Sequence, residues 1–346
     1  MPKKSTSQVT LGDLASEAGV SRATVSRALK DNPVISKAVR ERIQKLAEAM
    51  GYRPDPEAAR LMSYLKSNSQ GRFESVIGLL NAYGSEECLK KDNYTAKLIA
   101  GAVERAEKLG YSIDLLNLGE TGMSPRRIDQ IIAARGIRGV LIPPEPTPLF
   151  ETKLDWSQIA SVATTTTAQP LNLHRVLPHN FENIRLLLDR IIEKGHRRVG
   201  LITWDDLEKR QMSAAGSIYG LYAHIEKRIE PLDVHHWNWK EPESEKQSRI
   251  KAWIEQNQPE VILGFGSYCI DTIAEATGMQ VPADLSFVSY GDSEPHLSRI
   301  GQDARKIGAA AIDLLSAQIQ RGDTGLPETP KTTLIEGHFV EGNTLK

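Results

Sequence analysis

The sequence predicts two architectures in series: an all-α helix-turn-helix head with a hinge helix behind it, and an α/β body of two lobes with parallel sheets. Three observations carry this. Residues 9–29 hold two short amphipathic stretches around a glycine. From Val76 onward, short apolar runs alternate with amphipathic stretches of helical period. That alternation runs through the chain twice. At 346 residues the chain can bury two or three separate cores.

In the head, Thr10 can cap a first helix, with Asp13 completing a capping box and Leu11, Leu14 and Ala15 on one apolar face. Gly19 supplies the positive φ of a sharp turn. Ser21 is a second N-cap. Val25 and Leu29 then form the inner face of a second helix and leave Arg22, Ala23, Ser26 and Arg27 outside. A helix of this kind fits the major groove of DNA with its N-terminal residues against base edges. The competing reading is an ordinary helical hairpin. Ser36 caps a third helix through Val39, Ile43, Leu46, Ala47 and Met50 that stops at Gly51. Asp55-Pro56-Glu57 starts a further short helix, with N-cap, N1 proline and early acid. The polar stretch Ser63 to Glu74 links head to body.

Charge is divided unevenly. Residues 1–66 carry 12 Lys/Arg against 7 Asp/Glu, a net of +5 that leaves −6 for the rest of a chain whose total is −1. A basic head on an acidic body is the footprint of a nucleic-acid binder whose body does something else. Cys88 and Cys269 are far apart and lack metal-ligand spacing, so no disulfide framework is expected. The polar N-terminus lacks the apolar core of a signal peptide, and no apolar run approaches the ~20 residues of a membrane span. The expectation is a soluble, cytoplasmic, nucleoid-associated protein.

The body opens with an apolar strand at 76–80, a helix from Ala96 to Leu109 ended by Gly110, and a strand from Tyr111 to Leu116. A helix from Ser124 to Ala134 and a strand at 139–142 follow. The second series begins near Val176 with a helix from Phe181 to Lys194 and a strand at 199–203. Ser213 to Lys227 reads as a helix, Trp253 to Asn257 as the end of another, and 261–265 and 286–290 as strands. Ala304 to Gln320 is a long helix and Thr332 to Val340 a final strand. Strand–helix–strand order with short connections implies parallel sheets covered on both faces, and such sheets bind ligands beyond their strand carboxyl ends.

The run Thr10, Leu14, Ala15, Ala18-Gly-Val-Ser21, Thr24-Val-Ser-Arg27, Gly51-Tyr52, Pro54, Ala58 and Leu61 resembles the DNA-binding head and hinge of the LacI/GalR (lactose-repressor) family of bacterial regulators. The resemblance continues more weakly through Gly195-His196, 281–290, Ile300, Gln302-Asp303 and Gly308. It implies a periplasmic-binding-protein-like body, crossed three times between its lobes, with a small effector in the cleft. The domains implied are a head at 1–54, a hinge helix at 55–66, a linker at 67–75 and an effector-binding and dimerisation body at 76–346. Lobe 1 covers about 76–177 and 304–321, and lobe 2 about 178–303 and 322–346. The helix after Gln302 then returns to the first lobe and the C-terminal strand to the second.

The resemblance also assigns roles. Arg22 and Ala23 set operator preference. Thr10, Ser21, Thr24, Ser26, Arg27, Tyr52 and Ala58 join them as DNA-contact candidates, and Leu61 wedges into the minor groove and bends the duplex. The hinge start Asp55-Pro56-Glu57 departs from the family's usual Pro-Asn and places two carboxylates near phosphates. In the body, Gly266-Ser267 stands where Asn-Asp is common. Gly291, with Asp292 next, stands where an aspartate is common, and Thr164 to Thr167 where another often lies. Ser213 takes the place of an expected arginine, with Arg210 one turn earlier. Thr165, Arg210, Ser267, Asp292 and Trp237 are the effector-binding candidates, and Trp204, Trp237 and Trp239 can stack on a sugar face. A small, polar, carbohydrate-like effector is expected, larger or differently decorated than a plain hexose, with the space left by the glycines taken up by it.

No cofactor or metal is expected. Gly264-Phe-Gly266 lacks the third glycine of a dinucleotide fingerprint, and His235-His236 has no partner at metal spacing and reads as a solvated loop. No serine elbow, P-loop or paired cysteine motif occurs, so the chain does not read as an enzyme. The function expected is a sequence-specific transcriptional regulator, most often a repressor in this family. It binds double-stranded operator DNA as a homodimer and answers to a small effector. The alternative is a solute-binding or carbohydrate-modifying protein with an incidental helical head.

Overall fold

The structure, a computed structural model, describes residues 11–29, 31, 33–50, 52, 75–81, 93–118, 124–144, 154–166, 171–291 and 294–346. Two compact units divide the chain, one of residues 1–74 with 317–323 and one of 75–316 with 324–346.

Among the described residues up to 74, the first unit holds the helices α1 (Leu11–Ala18), α2 (Arg22–Leu29) and α3 (Lys37–Ala49). Leu14, Val25, Ala28 and Ile43 are fully buried between them, with Ala15 and Ala47 alongside. Gly19 turns the chain at φ 65°, where the Val20 amide donates to the Ala15 carbonyl and satisfies the helix end. The Ser21 hydroxyl accepts from the Thr24 amide at 3.1 Å, the N-cap that the sequence implies. Arg42 donates to the Ala18 carbonyl at the end of α1, and Gln44 to the Ala28 carbonyl near the end of α2. Ser36 occupies the N-cap of α3, but its hydroxyl makes no capping bond. Thr10 and the hinge stretch lie outside the described residues.

The second unit is two parallel-sheet lobes. The first sheet contains β1 (Ser75–Asn81), β2 (Tyr111–Asn117), β3 (Gly139–Ile142), β4 (Ala160–Ala163), β5 (His174–Pro178) and a late strand, β11 (Thr332–Ile335). The second contains β6 (Val199–Thr203), β7 (His235–His236), β8 (Val261–Gly264), β9 (Ser286–Ser289), β10 (Arg299–Gly301) and β12 (His338–Val340). Their orders are β2-β1-β3-β4-β5-β11 and β7-β6-β8-β9-β10-β12. Both therefore begin with the same doubly wound 2-1-3-4-5 pattern, whose switch point lies between the first and third strands of each series. All paired strands run parallel except β10 and β12.

Helices α4 (Asn93–Lys108) and α5 (Pro125–Ala134) belong to the first lobe. Helices α6 (Asn180–Glu193), α7 (Asp205–Arg210), α8 (Ala214–Gly220), α9 (Glu243–Asn257) and α10 (Tyr268–Thr277) belong to the second. Leu187, Leu188, Val199, Tyr219 and Val288 centre one core of that lobe, and Ile202, Ile250, Phe287 and Leu297 another. The long α11 (Ala304–Arg321) returns to α4. A Cβ on Gly101 would fall 2.1 Å from the Arg305 carbonyl oxygen, and one on Gly308 2.0 Å from that of Leu98, so the two helices touch backbone to backbone there. Arg105 pairs with Asp313 at 2.6 Å and Arg305 with Glu104 beside that contact.

Three sequence expectations change. The stretch 332–340, read as one strand of the second lobe, is two strands. Thr332–Ile335 pairs with β5 in the first sheet, and after Glu336-Gly337 the chain enters the second sheet as His338–Val340. The helix read from Ser213 starts at Ala214, because Met212 and Ser213 are left-handed at φ 55° and 57°, and it widens into a π turn at Leu221–Ile225. His235-His236, read as a solvated loop, pairs with β6, and His235 is buried between the Trp237 and Trp253 rings. Burial lowers its pKa to about 4.

Candidate functional site

Two sets of side chains answer to the candidates, one in each unit. At the N-cap of α2 Ser21 is exposed, and on the helix Arg27 is exposed and Thr24 half-buried. The Ser21 and Thr24 hydroxyl oxygens lie 2.9 Å apart, so the cap that starts the helix also holds two of the proposed phosphate contacts. Arg22, Ala23 and Ser26 lie on this helix, and their side chains are outside the described residues, as are Thr10, Ala58 and Leu61 altogether. Tyr52 is half-buried against the head core and its amide donates to the Ala47 carbonyl. Its place is the packing of the head as well as its edge.

In the body, polar and aromatic side chains gather at the carboxyl ends of both sheets. Asn81, fully buried at the end of β1, donates to Asn117 Oδ1 at the end of β2 at 2.7 Å. After β4, the Thr164 hydroxyl donates to the Ile142 carbonyl at 3.2 Å and is spent within its own sheet. Thr165 is buried. The Thr166 hydroxyl crosses to the second lobe and donates to the Arg210 carbonyl at 2.6 Å.

Across that contact, Thr203 at the end of β6 donates to Glu208 Oε1 at 2.7 Å, and the Gly216 amide donates to Glu208 Oε2 at 3.4 Å. Arg210 Nε is 2.7 Å from Asp206 Oδ2. Ser289 ties the ends of β8 and β9 together, its Oγ accepting from the Gly266 and Gly291 amides. Ser267 donates to Glu294 Oε1 at 2.8 Å. Tyr290 is buried, donates to the Ile202 carbonyl at 2.9 Å, and is held far above the usual phenol pKa by desolvation.

A row of rings runs beside these groups. Phe265 follows β8 and Trp204 follows β6, so the pair, 5.5 Å apart and edge to face, flanks the switch point of the second sheet. Trp204 meets Trp239 at 5.4 Å, Trp239 meets Tyr268 at 5.0 Å, and Trp237 lies 5.5 Å from Tyr268. The Lys246 ammonium sits 5.6 Å from the Trp239 ring and binds the Tyr268 hydroxyl and the Glu243 carboxylate. The hydrogen bond to Tyr268, then that to Glu243, raises its pKa.

Of the five effector candidates, Thr165 and Trp237 are buried, Arg210 and Ser267 are half-buried, and Asp292 lies outside the described residues. Arg210 and Ser267 already face the carboxylates of Asp206 and Glu294. The expected empty space beside Gly291 is filled by the Phe265 ring. Three buried atoms are more telling, two of them on residues that sequence reasoning missed. Gln211 Oε1, Glu294 Oε2 and Trp237 Nε1 are buried with no hydrogen-bond partner among the described residues. Each such group costs about 1–3 kcal/mol until something pairs with it, so it marks where a polar ligand gains most. No spacing rule exposes these residues; only the fold buries them. Among the described residues no group of three metal-ligating side chains occurs, and no helix is long and apolar enough to cross a membrane.

Comparison with known proteins agrees with this geometry. Residues 10–55 match the profile of bacterial regulatory proteins, lacI family, and residues 188–345 that of a periplasmic binding protein-like domain. The chain is similar to the transcriptional repressor PurR of Pectobacterium atrosepticum, at 24% identity over 96% of both chains. It is similar to the transcriptional regulator KdgR of Bacillus subtilis (24%; 95% of this chain, 96% of the relative) and to the repressor CytR of Escherichia coli K12 (23%; 93% of both). Among solved structures, it resembles a lac repressor dimer bound to operator and an anti-inducer, with TM-score 0.55, 19% identity, and 97% and 99% of the two chains covered. A complex of the regulator CelR with cellobiose superposes at TM-score 0.58, 19% identity, 97% and 100% covered. The helix-turn-helix head and the two-lobed parallel-sheet body thus lead to one assignment: a lacI-family head at residues 10–55 and a periplasmic-binding-protein-like body, in a chain that is similar along nearly its whole length to transcriptional regulators of the lacI family.

Proposed function

We propose that the protein is an effector-controlled repressor that binds a near-palindromic operator as a homodimer. The head, 1–54, reads the major groove through Arg22, Ala23 and Arg27, with Thr10, Ser21, Thr24, Ser26, Tyr52 and Ala58 at its phosphate and sugar contacts. The hinge, 55–66, places Leu61 in the minor groove, and the linker 67–75 joins it to the body. It acts in the cytoplasm, on the nucleoid. A single small head offers few contacts, and two-fold symmetry doubles them.

A small polar effector, carbohydrate-like, binds at the strand carboxyl ends of the body and shifts the two lobes. The observation that carries this is the meeting of the lobes at Thr166 and Arg210, beside the buried, unpaired Gln211 Oε1. A ligand there touches both lobes, so its affinity differs between their relative positions, the condition for control of a distant head. The test is a genome-wide footprint with purified protein, repeated after adding compounds metabolised by the neighbouring genes. Protected inverted repeats that are lost or strengthened by one such compound are expected. Protection without symmetry, or with no response to any of them, would count against the reading.

A further inference from the structure

At the amino end of the second sheet, away from the strand carboxyl ends where the effector candidates gather, the body holds a cavity of about 670 Å³. It opens where the chain enters β6, at Arg197, and where it leaves the π turn for β7, at 223–231. The Glu230 amide donates to the Arg197 carbonyl at 2.8 Å and joins the two segments. The floor is apolar: Ala223 and Ile229 are buried, and Ile192 on α6 is half-buried beside them. The rim is cationic. Arg197, His224, Lys227 and Arg228 line it, with Glu230 as the one carboxylate among the described lining residues. This stands out in a body, 67–346, that carries a net charge of −6. The volume is that of a small-molecule pocket.

The charges on the rim are not all spoken for. Arg228 is 2.8 Å from Asp189, which the Tyr222 hydroxyl also binds, and its guanidinium lies 4.7 Å from the centre of the Tyr222 ring. Glu230 turns to Arg198 at 2.5 Å. Arg197 and Lys227, in contrast, enter no ion pair among the described residues. The ordinary reason for cations here is the helix dipole, because α6 and the π turn both end beside the cavity. Arg197 Nη1 does donate to the Ile192 and His196 carbonyls, both at 3.0 Å. Two helix ends hold only roughly −0.5 each, however, against the two full charges of Arg197 and Lys227. The Lys227 and His224 side chains have no hydrogen-bond partner among the described residues. Lys227 is also left-handed, at φ 55°, and follows a π turn of the kind that gathers at functional sites. A glycine would make that turn more easily, so the backbone does not explain the lysine.

We infer that this cavity binds a small phosphate monoester with an apolar body, its phosphate held by Arg197 and Lys227 with His224 as a further partner, and its body on Ala223 and Ile229. A phosphate monoester carries about −1.5 to −2 at pH 7, which matches the two unpaired cations. Its three acceptor oxygens point in different directions and can meet donors on both segments of the rim, whereas the two of a carboxylate lie in one plane. Inorganic phosphate would leave the apolar floor bare. A polyphosphate would set further charge against that floor and against Glu230. The inference does not depend on the regulator reading, and the site is separate from the effector candidates.

The test uses the full-length chain and phenyl phosphate, with inorganic phosphate, benzoate and phenol as controls, read by isothermal titration and thermal shift. Phenyl phosphate is expected to bind saturably, and about tenfold or more tightly than any control. Lys227→Gly removes the charge and relaxes the left-handed backbone. It should therefore unfold at the same temperature as the parent or higher, yet lose affinity for phenyl phosphate about tenfold or more. Lys227→Arg keeps the charge and should retain most of the affinity. No saturable binding of phenyl phosphate at millimolar concentration, a control that binds as tightly, or unchanged affinity in Lys227→Gly would each overturn the inference. So would a loss in Lys227→Arg as large as that in Lys227→Gly.

Discussion

The Phe265 ring occupies the volume that a side chain at Gly291 would need. A Cβ placed on Gly291 would lie 2.5 Å from Phe265 Cε2, 2.8 Å from Cζ and 2.9 Å from Cδ2. The two positions follow neighbouring strands, β8 and β9, and they have exchanged bulk: an aromatic ring on one and no side chain on the other. The expectation that a ligand fills the gap at Gly291 therefore fails. The protein fills it itself, and the ring continues into contacts with Trp204 and Tyr290.

This coupling predicts a double-mutant cycle. Gly291→Ala alone should destabilise the body by about 1–3 kcal/mol, the usual cost of overpacking, since Phe265 must leave its edge-to-face partners to make room. Phe265→Ala alone should cost about 3–5 kcal/mol at most, and less in practice because the ring is only half-buried. In the double variant the overpacking has no object, so the two costs should fall short of additivity by about 1 kcal/mol or more. Urea unfolding of the four proteins measures this. Strict additivity would mean that the two residues do not share the space.

In the head, Ser21→Ala should cost about 1 kcal/mol of stability and Ser21→Asp about none, because the Oγ bond to the Thr24 amide is an N-cap. Thermal unfolding measures the first part. Operator affinity of Ser21→Asp separates capping from phosphate contact: a carboxylate caps as well as a hydroxyl but repels a phosphate. Full stability with weakened DNA binding is expected, and unchanged binding would remove Ser21 from the interface.

Arg22→Ala should relax base preference at one position of each half-site by about 1–3 kcal/mol, if the guanidinium reads a guanine. Gel shifts against single-base operator variants at several salt concentrations decide it. An equal loss on every sequence, with a shallower salt dependence, would make Arg22 a phosphate contact instead.

His235 makes stability depend on pH in a window set by its shift. Its folded pKa of about 4 lies below the ordinary imidazole value of 6.5, chiefly because burial penalises the imidazolium, with Arg249 and His236 adding to the effect and Glu241 opposing it. The unfolded chain therefore binds more protons than the folded one between these values, so stability falls as pH drops from 6.5 towards 4. The neutral ring's contribution is complete above the upper limit and amounts to roughly 3 kcal/mol at most. His235→Phe keeps the ring contacts with Trp237 and Trp253 and removes the titration. Its stability should be flatter between pH 6.5 and 4.5 than that of the parent. Parallel pH profiles for the two proteins would show that another group is responsible.

The head was legible because local signals and tertiary packing agree there. Gly19 takes the positive φ, Ser21 caps, and Leu14, Val25 and Ile43 meet in one core. The alternation of strands and helices in the body was legible for the same reason: strands such as Val199–Thr203 are wholly apolar or buried along their length. What escaped was short or non-local. Helix α7 buries only Leu207, so no period could reveal it, although Asp205 and Asp206 at its start and Lys209 and Arg210 at its end suit its dipole. Strand β7 is two residues long, and its histidines look solvent-facing until Trp237 and Trp253 are packed on one of them. The division of 332–340 between sheets depends on pairing with strands far away in sequence. In the site, Thr165, Arg210, Ser267 and Trp237 were named from their positions, but the unpaired atoms of Gln211 and Glu294 emerge only from three-dimensional burial.

The hydrogen bond from the Thr166 hydroxyl to the Arg210 carbonyl joins the lobes at 2.6 Å. Arg210 ends α7, and after the left-handed Met212 and Ser213 the chain enters α8, whose Gly216 amide shares Glu208 with Thr203. The bond thus ties the end of β4 in one lobe to a short, polar segment in the other. Thr166→Val removes the donor at nearly constant volume and should withdraw about 0.5–1.5 kcal/mol from this arrangement of the lobes. An equilibrium between lobe positions would shift by about twofold to tenfold, since 1.4 kcal/mol is one decade. Amide exchange at 204–216 should accelerate in the variant while 284–290, in β9 and its flanks, stays protected. If the lobe position controls the head, operator affinity should change by the same factor, in the direction that the effector changes it. Faster exchange with unchanged operator affinity would place the bond outside the switch, and unchanged exchange would show that the lobes are held together by other means.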